Sequence, residues 1–349
     1  MSRLRPCFAR TIDLALEATV APSFTRIGHT VRSRLESWPD LPSLPGTGLR
    51  VLVTGANSGL GYATTRAVLA AGGEVIGTVR TPQRGNDALA SLVEELGFAA
   101  AARARFELLD LAELDSVRGL AARLTEDEPA IDVVVHNAGA MFSDRQLTDD
   151  GLERTYQIHV VAPFLLTTLL LPHLRRSAVG RVITVTSGGM YTQELDVTRL
   201  ESNGDYQAAT AYARAKRAQV ELTTAWADRI SDVEVHAVHP GWALTPGIEA
   251  SLPTFRRMAG PLLRTADQGA DTIAWLTLRP EAGGNGQLWH DRRPRSVHRV
   301  PWTRSDDVEV ARLWDRVVRD AGIDPLAATE AALRSEAEPN PGPARSAPR

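Results

Sequence analysis

A phenol, an ammonium and a hydroxyl in the second half of this sequence are spaced for proton chemistry. Tyr212-Ala213-Arg214-Ala215-Lys216 puts a tyrosine and a lysine at i and i+4, a turn apart on one face of a helix. A cation beside a phenol stabilises the phenolate and draws a pKa near 10 towards neutral, which makes a general acid or base. A Tyr–Lys pair on the solvent face of an amphipathic helix is the plainer reading of the same spacing. Tyr191 and Tyr206 have no lysine four residues on, and Lys216 is the only lysine among 39 basic residues. An arginine bias of the kind that GC-rich bacterial coding produces did not remove it. Upstream, Arg181-Val182-Ile183-Thr184-Val185-Thr186-Ser187 reads as a buried strand that ends in hydroxyls, with Gly188-Gly189 after it.

A second set of residues is suited to holding an anion. Thr54-Gly55-Ala56-Asn57-Ser58-Gly59-Leu60-Gly61 follows the apolar run Leu49 to Val53 and opens a helical stretch from Tyr62 to Ala71. Glycine serves where a turn takes φ > 0 and where backbone must touch a ligand, and the first-turn N–H groups of the helix then face an anion such as a pyrophosphate. An ordinary strand-to-helix turn has glycines too. The next strand ends in Arg80, where a fold that binds NAD usually has a carboxylate for the ribose 2′-hydroxyl. An arginine there would pair with a 2′-phosphate, so NADP(H) is expected ahead of NAD(H), against a surface arginine with no ligand. Asp110, after the third strand, could accept a hydrogen bond from an adenine amino group or cap a helix. His136-Asn137-Ala138-Gly139 closes the fourth strand with small residues that let backbone approach a cofactor, or is a plain turn. Pro240-Gly241 with Thr245 gives a rigid turn and a hydroxyl suited to a nicotinamide amide.

These residues need a scaffold that gathers strand ends. From Leu49 onward, strands near 49–54, 74–80, 104–109, 131–136, 181–187, 233–239 and 286–290 alternate with helices near 59–71, 86–96, 113–126, 149–176, 206–230, 265–278 and 306–320. Each of the inner strands is a short, β-branched, mostly apolar run, as when helices cover both faces. The fold class is therefore α/β, a doubly wound parallel sheet of about seven strands with helices on both faces. Residues 1–48 read as two short amphipathic helices and a proline-rich linker, 49–325 as one domain, and 326–349 as a disordered tail.

Composition bounds the class. The 349 residues carry 43% hydrophobic side chains and a net charge of −3, so no global basic field argues for nucleic acid as a partner. Asp13 and Glu17 interrupt any signal-peptide core, and the lone Cys7 cannot make an internal disulfide. A cytoplasmic protein is expected. Residues 1–48 are expected to pack on the main domain, with an anionic membrane surface as the alternative. A homo-oligomer is compatible with the sequence.

The motifs together resemble the short-chain dehydrogenase/reductase family: a TGxxxGxG loop at Thr54–Gly61, the Asn137-Ala138-Gly139 turn, Ser187, the Tyr212/Lys216 pair, and Pro240-Gly241 with Thr245, in family order over about residues 49 to 300. Ser187-Gly188-Gly189-Met190, His239-Pro240-Gly241-Trp242-Ala243, Gln268-Gly269-Ala270-Asp271-Thr272 and Asp291-Arg292-Arg293-Pro294 point to a narrower subgroup that shares the N-terminal extension. The resemblance implies a Rossmann-type fold and hydride transfer between a nicotinamide and a carbonyl or alcohol carbon. It implies Tyr212 as acid/base, Ser187 on the substrate oxygen, and Lys216 on the nicotinamide ribose. The family usually has an asparagine in the fourth helix that holds a water connected to the lysine. Here His159 stands at that position, either as a replacement relay or as a core histidine.

Substrate signals lie in 190–206 and in a lid at 242–263, whose Trp242, Leu244, Ile248, Leu252, Phe255 and Met258 suggest a lipophilic ketone, aldehyde or alcohol; the same residues could form core or a subunit contact. An NADP-dependent oxidoreductase is the leading expectation. A cofactor-binding regulatory or scaffold protein with weak turnover is the alternative, and an epimerase or lyase fits less well.

Overall fold

The valine-rich runs form the strands, and their order follows from how the chain winds. The structure, a computed structural model, describes residues 4–44, 48–202, 204–244, 260–280 and 283–324. Strands β1 (Arg50–Val53), β2 (Glu74–Val79), β3 (Ala104–Leu108), β4 (Val133–His136), β5 (Arg181–Val185), β6 (Glu234–Val238), β7 (Leu288–His290) and β8 (Arg293–Arg295) make one sheet in the order β3-β2-β1-β4-β5-β6-β7-β8. All neighbours from β3 to β7 are parallel, and β8 alone is antiparallel. The chain winds outward from β1, then returns to lay β4 on its other side. Strand order reverses there, and in such sheets ligands bind outside the carboxyl ends beside that point.

Helices cover both faces, as the apolar, buried inner strands β1, β4, β5 and β6 require. On one face α4 (Gly59–Ala71), α5 (Pro82–Leu96), α6 (Phe98–Ala101) and α10 (Ala266–Leu278) pack through Val68, Leu69, Leu92, Ile273 and Leu276. On the other, α7 (Leu114–Asp127), α8 (Arg154–Arg176), α9 (Ala208–Ala227) and α11 (Asp307–Asp320) bury Leu120, Leu165, Leu170, Ala218, Trp226 and Trp314. Helix α8 is long and apolar enough to cross a membrane, but most of it lies inside this core.

The structure differs from the expected pattern in three places. The helix expected from 149 starts at Arg154, where the Glu153 carboxylate accepts from the Thr155 and Tyr156 N–H groups. It contains one π-helical turn, Gln157–Val161, which inserts an extra residue. The strand expected at 286–290 continues into a hairpin: Asp291 and Arg292, at φ +52° and +55°, make a two-residue turn into β8. The N-terminal extension forms three helices, α1 (Leu4–Glu17), α2 (Val20–Phe24) and α3 (Arg26–Leu35), rather than two.

The extension is anchored by buried charge as well as by apolar packing. Arg32 donates to Asp13 at 2.7 Å, to Glu17 at 2.7 Å and to Asp291 at 2.6 Å. Asp13 also takes Arg295 at 2.8 Å, and Glu17 takes Arg299 at 2.6 Å. Phe24 is 2% exposed, among Met190, Tyr191 and Leu288. The stretch 39–44 runs along the body, where the Leu44 N–H donates to Ala71 O at 2.6 Å and Pro39 O accepts from Arg292. The expected lid falls largely on 245–259, and with the tail from 325 it lies outside the described residues.

Candidate active site

The glycine loop and the turn after β4 are one packed unit at the switch point. Thr54 Oγ1 accepts from the N–H groups of Asn137 at 2.9 Å and Ala138 at 3.0 Å, and Asn137 Nδ2 donates to Thr54 O at 2.9 Å. Gly55 and Gly59 take φ of +66° and +55°, in the left-handed region that glycine enters without strain. A Cβ on Gly61 would overlap Gly55 O and lie 2.5 Å from Asn137 Nδ2. Ser58 caps α4 without a side-chain bond to it, so the first-turn N–H groups face outward unclaimed by the cap. Asn57 and Ser58 border that opening, while the Leu60 side chain packs towards Gly269 on α10. Backbone that only glycine allows, at a helix start with a free first turn, fits a dinucleotide pyrophosphate.

Arg80 stands exposed directly after β2, with no ion pair among the described residues. The Asp110 carboxylate accepts from the Ala112 N–H at 2.9 Å in the loop between β3 and α7, whose N-cap is Glu113. Both lie at carboxyl ends of strands on the β1–β3 side of the loop.

Helix α9 meets the end of β5 to assemble the proton-handling groups. Thr186 Oγ1 donates to Lys216 O at 3.0 Å, and Lys216 Nζ donates to Val185 O at 2.9 Å, so the helix is laced to the strand. The Ser187 hydroxyl is close enough to the Tyr212 phenol to favour its ionised form. Lys216 Nζ lies 5.3 Å from the Tyr212 ring centre. The structure thus brings Ser187, Tyr212 and Lys216 together at the sheet edge.

The expected lowering of the phenol pKa is not what this arrangement gives. Burial pushes Tyr212 up to about 12, with the nearby Ser187 hydroxyl working the other way, and burial pushes Lys216 down to about 7. A dry pocket disfavours both charged forms, and a half-neutral ammonium is a weak partner for a phenolate. Only one of the three Lys216 donor positions has a protein partner among the described residues. Ribose hydroxyls suit the others.

His159 occupies the π-helical turn of α8, edge-on to Tyr212 at 5.3 Å between ring centres. Its Nδ1 lies 2.8 Å from Thr155 O and therefore donates, which leaves Nε2 to accept from the Ala140 N–H at 3.2 Å. Burial, and then the Lys216 charge, push its pKa down to about 3. The ring is neutral, with both nitrogens on backbone. A Cβ on Gly139 would lie 2.8 Å from His159 Nε2 and 3.8 Å from Lys216 Nζ, so glycine lets the β4 turn reach this pocket.

Pro240 and Gly241 follow β6 at the same edge, Gly241 at φ +77°. Thr245 lies outside the described residues. Two residues that sequence reasoning did not single out hold this turn. Arg264 Nη1 donates to Pro240 O at 3.3 Å, and both its Nη atoms pair with Asp291, at 2.6 and 2.9 Å. Burial works to raise the Asp291 pKa, but the guanidiniums of Arg264 and Arg32 hold it well below the carboxylate range. The available signal was the pairing of Asp291 with Arg292, because aspartate tolerates the left-handed conformation of a two-residue hairpin turn better than most residues.

Comparison with known proteins agrees with this geometry. The short chain dehydrogenase family model matches residues 50–254. Dehydrogenase/reductase SDR family member 12 of Bos taurus is 35% identical over 81% of this chain and 88% of its own length. Retinol dehydrogenase 14 of Mus musculus is 34% identical over 77% of this chain and 84% of its own length. A solved short chain dehydrogenase/reductase family protein superposes with a TM-score of 0.55 at 25% identity, covering 71% of this chain and 96% of that one. With its glycine loop, its β5 serine and its Tyr–Lys helix in one cleft, the chain belongs to the short-chain dehydrogenase/reductase family and is similar to family member 12.

Proposed function

We propose that the protein is an NADP(H)-dependent oxidoreductase that reduces a lipophilic carbonyl compound, the reverse oxidation being open to the same site. The observation that carries this reading is the meeting of Ser187, Tyr212 and Lys216 at the carboxyl edge beside the glycine loop. A nicotinamide dinucleotide, when bound, supplies the hydride. Ser187 Oγ donates to the substrate oxygen and holds it near Tyr212. The Tyr212 hydroxyl gives its proton to that oxygen as the carbonyl carbon is reduced. Lys216 donates to ribose hydroxyls, which favours its charged form and eases loss of the phenol proton. His159 acts as a neutral bracket from α8 to the Gly139–Ala140 backbone, a positioning role in which no proton passes through its ring.

Arg80 would meet a 2′-phosphate, Asp110 would border the adenine, and Asn57, Ser58 and the Asn137–Gly139 turn would line the dinucleotide. Exposed Leu244 and half-buried Trp242 beside the Pro240-Gly241 turn favour an apolar substrate, as does the similarity to a protein named for retinol. A peripheral membrane contact has one observation behind it. The two acids of α1, Asp13 and Glu17, turn inward, whereas Arg10, Arg26 and Arg34 face outward with Leu14, Val20 and Ile27. Sedimentation with anionic vesicles tests it.

The deciding assay is NADPH against NADH consumption over aldehydes, ketones and quinones, with Tyr212→Phe alongside. We expect NADPH oxidation that falls by about 10²–10⁴-fold in Tyr212→Phe. Tight NADPH binding without turnover on any substrate would favour the second reading, a cofactor-binding regulatory protein, which the His159 position supports. His159→Asn would then show whether the family residue restores turnover.

A further inference from the structure

We propose that the N-terminal extension is a working part of the site: Phe24 is a positioning residue for the Pro240–Trp242 turn and the Ser187–Gly189 loop, and so for the nicotinamide end of the cofactor. This rests on the dinucleotide reading above.

Phe24 lies where those two loops meet. Its ring stands edge-on to His239 at 4.3 Å and to Trp242 at 5.9 Å between centres, and it faces Tyr191 at 6.2 Å. A Cβ placed on Gly188, the residue after Ser187, would lie 3.0 Å from Phe24 Cε2 and 3.0 Å from His239 Nε2. The serine loop therefore rests on the phenyl ring with no space between. The backbone of the same residue completes the support: Phe24 O accepts from the Trp242 N–H at 2.7 Å and from Arg264 Nε at 3.1 Å.

Arg264 extends the support to the turn itself. Its guanidinium takes Ser23 O, Thr25 O and Pro240 O together with both Asp291 oxygens. A Cβ on Gly241 would collide with Arg264 Nε. The main-chain N–H of Arg264 donates to Trp242 O, and its O accepts from the Leu244 N–H, both at 2.8 Å. Four backbone carbonyls, those of Ser23, Phe24, Thr25 and Pro240, thus converge on the Arg264 guanidinium, beside the Phe24 ring. The adenine side of the cleft, from Gly55 to Asp110, has none of these contacts among the described residues. Removing the phenyl ring opens a cavity at the nicotinamide side of the cleft, among Gly188, Tyr191, His239 and Trp242.

The test separates the two ends of the cofactor. Adenosine 2′,5′-bisphosphate probes the glycine loop and Arg80, and NADPH probes the whole site. Phe24→Ala is expected to weaken NADPH binding at least tenfold and to lower kcat at saturating NADPH, while binding of the bisphosphate stays within twofold of wild type. Phe24→Leu, which keeps most of the apolar volume, is expected to recover most of both losses; if Phe24→Ala does not fold, Phe24→Leu carries the same comparison at smaller effect. Equal loss of both probes, or of neither, overturns the proposal. Wild-type protein that binds neither probe overturns the dinucleotide reading and this inference with it.

Discussion

The two halves of the cleft are held together by opposite means. Around β1 and β4 the parts touch because side chains are missing: Gly55, Gly61 and Gly139 let backbone and short polar groups close to contact distance, and almost every bond is made to a main-chain atom. Around β6 and β7 the parts touch because long charged side chains reach across. Arg32 and Arg264 converge on Asp291, with Asp13, Glu17, Arg295 and Arg299 beyond. The first construction has little freedom but few buried charges. The second is strong only while complete, since a buried ion left without its partner costs more than the pair contributes.

The largest effect should follow from breaking the charged half. Asp291→Ala leaves two buried guanidiniums facing each other and should cost about 3–5 kcal/mol in urea or thermal unfolding. A loss below roughly 1 kcal/mol would mean that water reaches the network and that the two halves differ less than their contacts indicate. Breaking the glycine half should cost less stability and more function. Gly61→Ala forces a methyl against Gly55 O and Asn137, for about 1–3 kcal/mol of overpacking, and should weaken NADPH binding beyond what its stability loss explains, by fluorescence titration.

The smallest effect is in pH, where stability rises with pH in two separate windows. The folded-state pKa values of Asp13 and Asp291 are depressed, so their stabilisation is in place above the ordinary carboxylate range and is lost as pH falls below about 4. The Lys216 pKa is depressed to about 7, so between about pH 7 and 10 the unfolded chain binds the extra proton and stability of the ligand-free protein rises with pH. Thermal melts across that range should show the rise in wild type and a flat line in Lys216→Met. A slope that survives the substitution would assign it to another group.

What could be read in the sequence divides along the same line. The glycine loop, the strand ending at Ser187 and the Tyr212–Lys216 spacing are local, and local spacing maps directly onto a turn or a helix face. Seven of the strands and the doubly wound arrangement follow from the same short-range patterns. Arg32 with Asp291 does not, because nothing in a periodicity links residues 259 positions apart, and each alone looks like an exposed charge. Three further features escaped for reasons of their own. The β8 strand is three residues of arginine and proline with no apolar signal. The π-turn at His159 depends on packing of α8 against α9 rather than on residue type. The pKa pattern at Tyr212 and Lys216 depends on dryness, which spacing does not encode.

The Arg32–Asp291 pair also sets an order of events during synthesis. At ribosomal speeds of about 5–20 residues per second, roughly 10–50 s separate the emergence of the extension from that of the hairpin turn that receives it. During that interval Arg32 has Asp13 and Glu17 as its partners within the extension. Docking of the first helices made must wait for nearly the last strand. The cleft would then become competent only after the β7–β8 hairpin has left the ribosome.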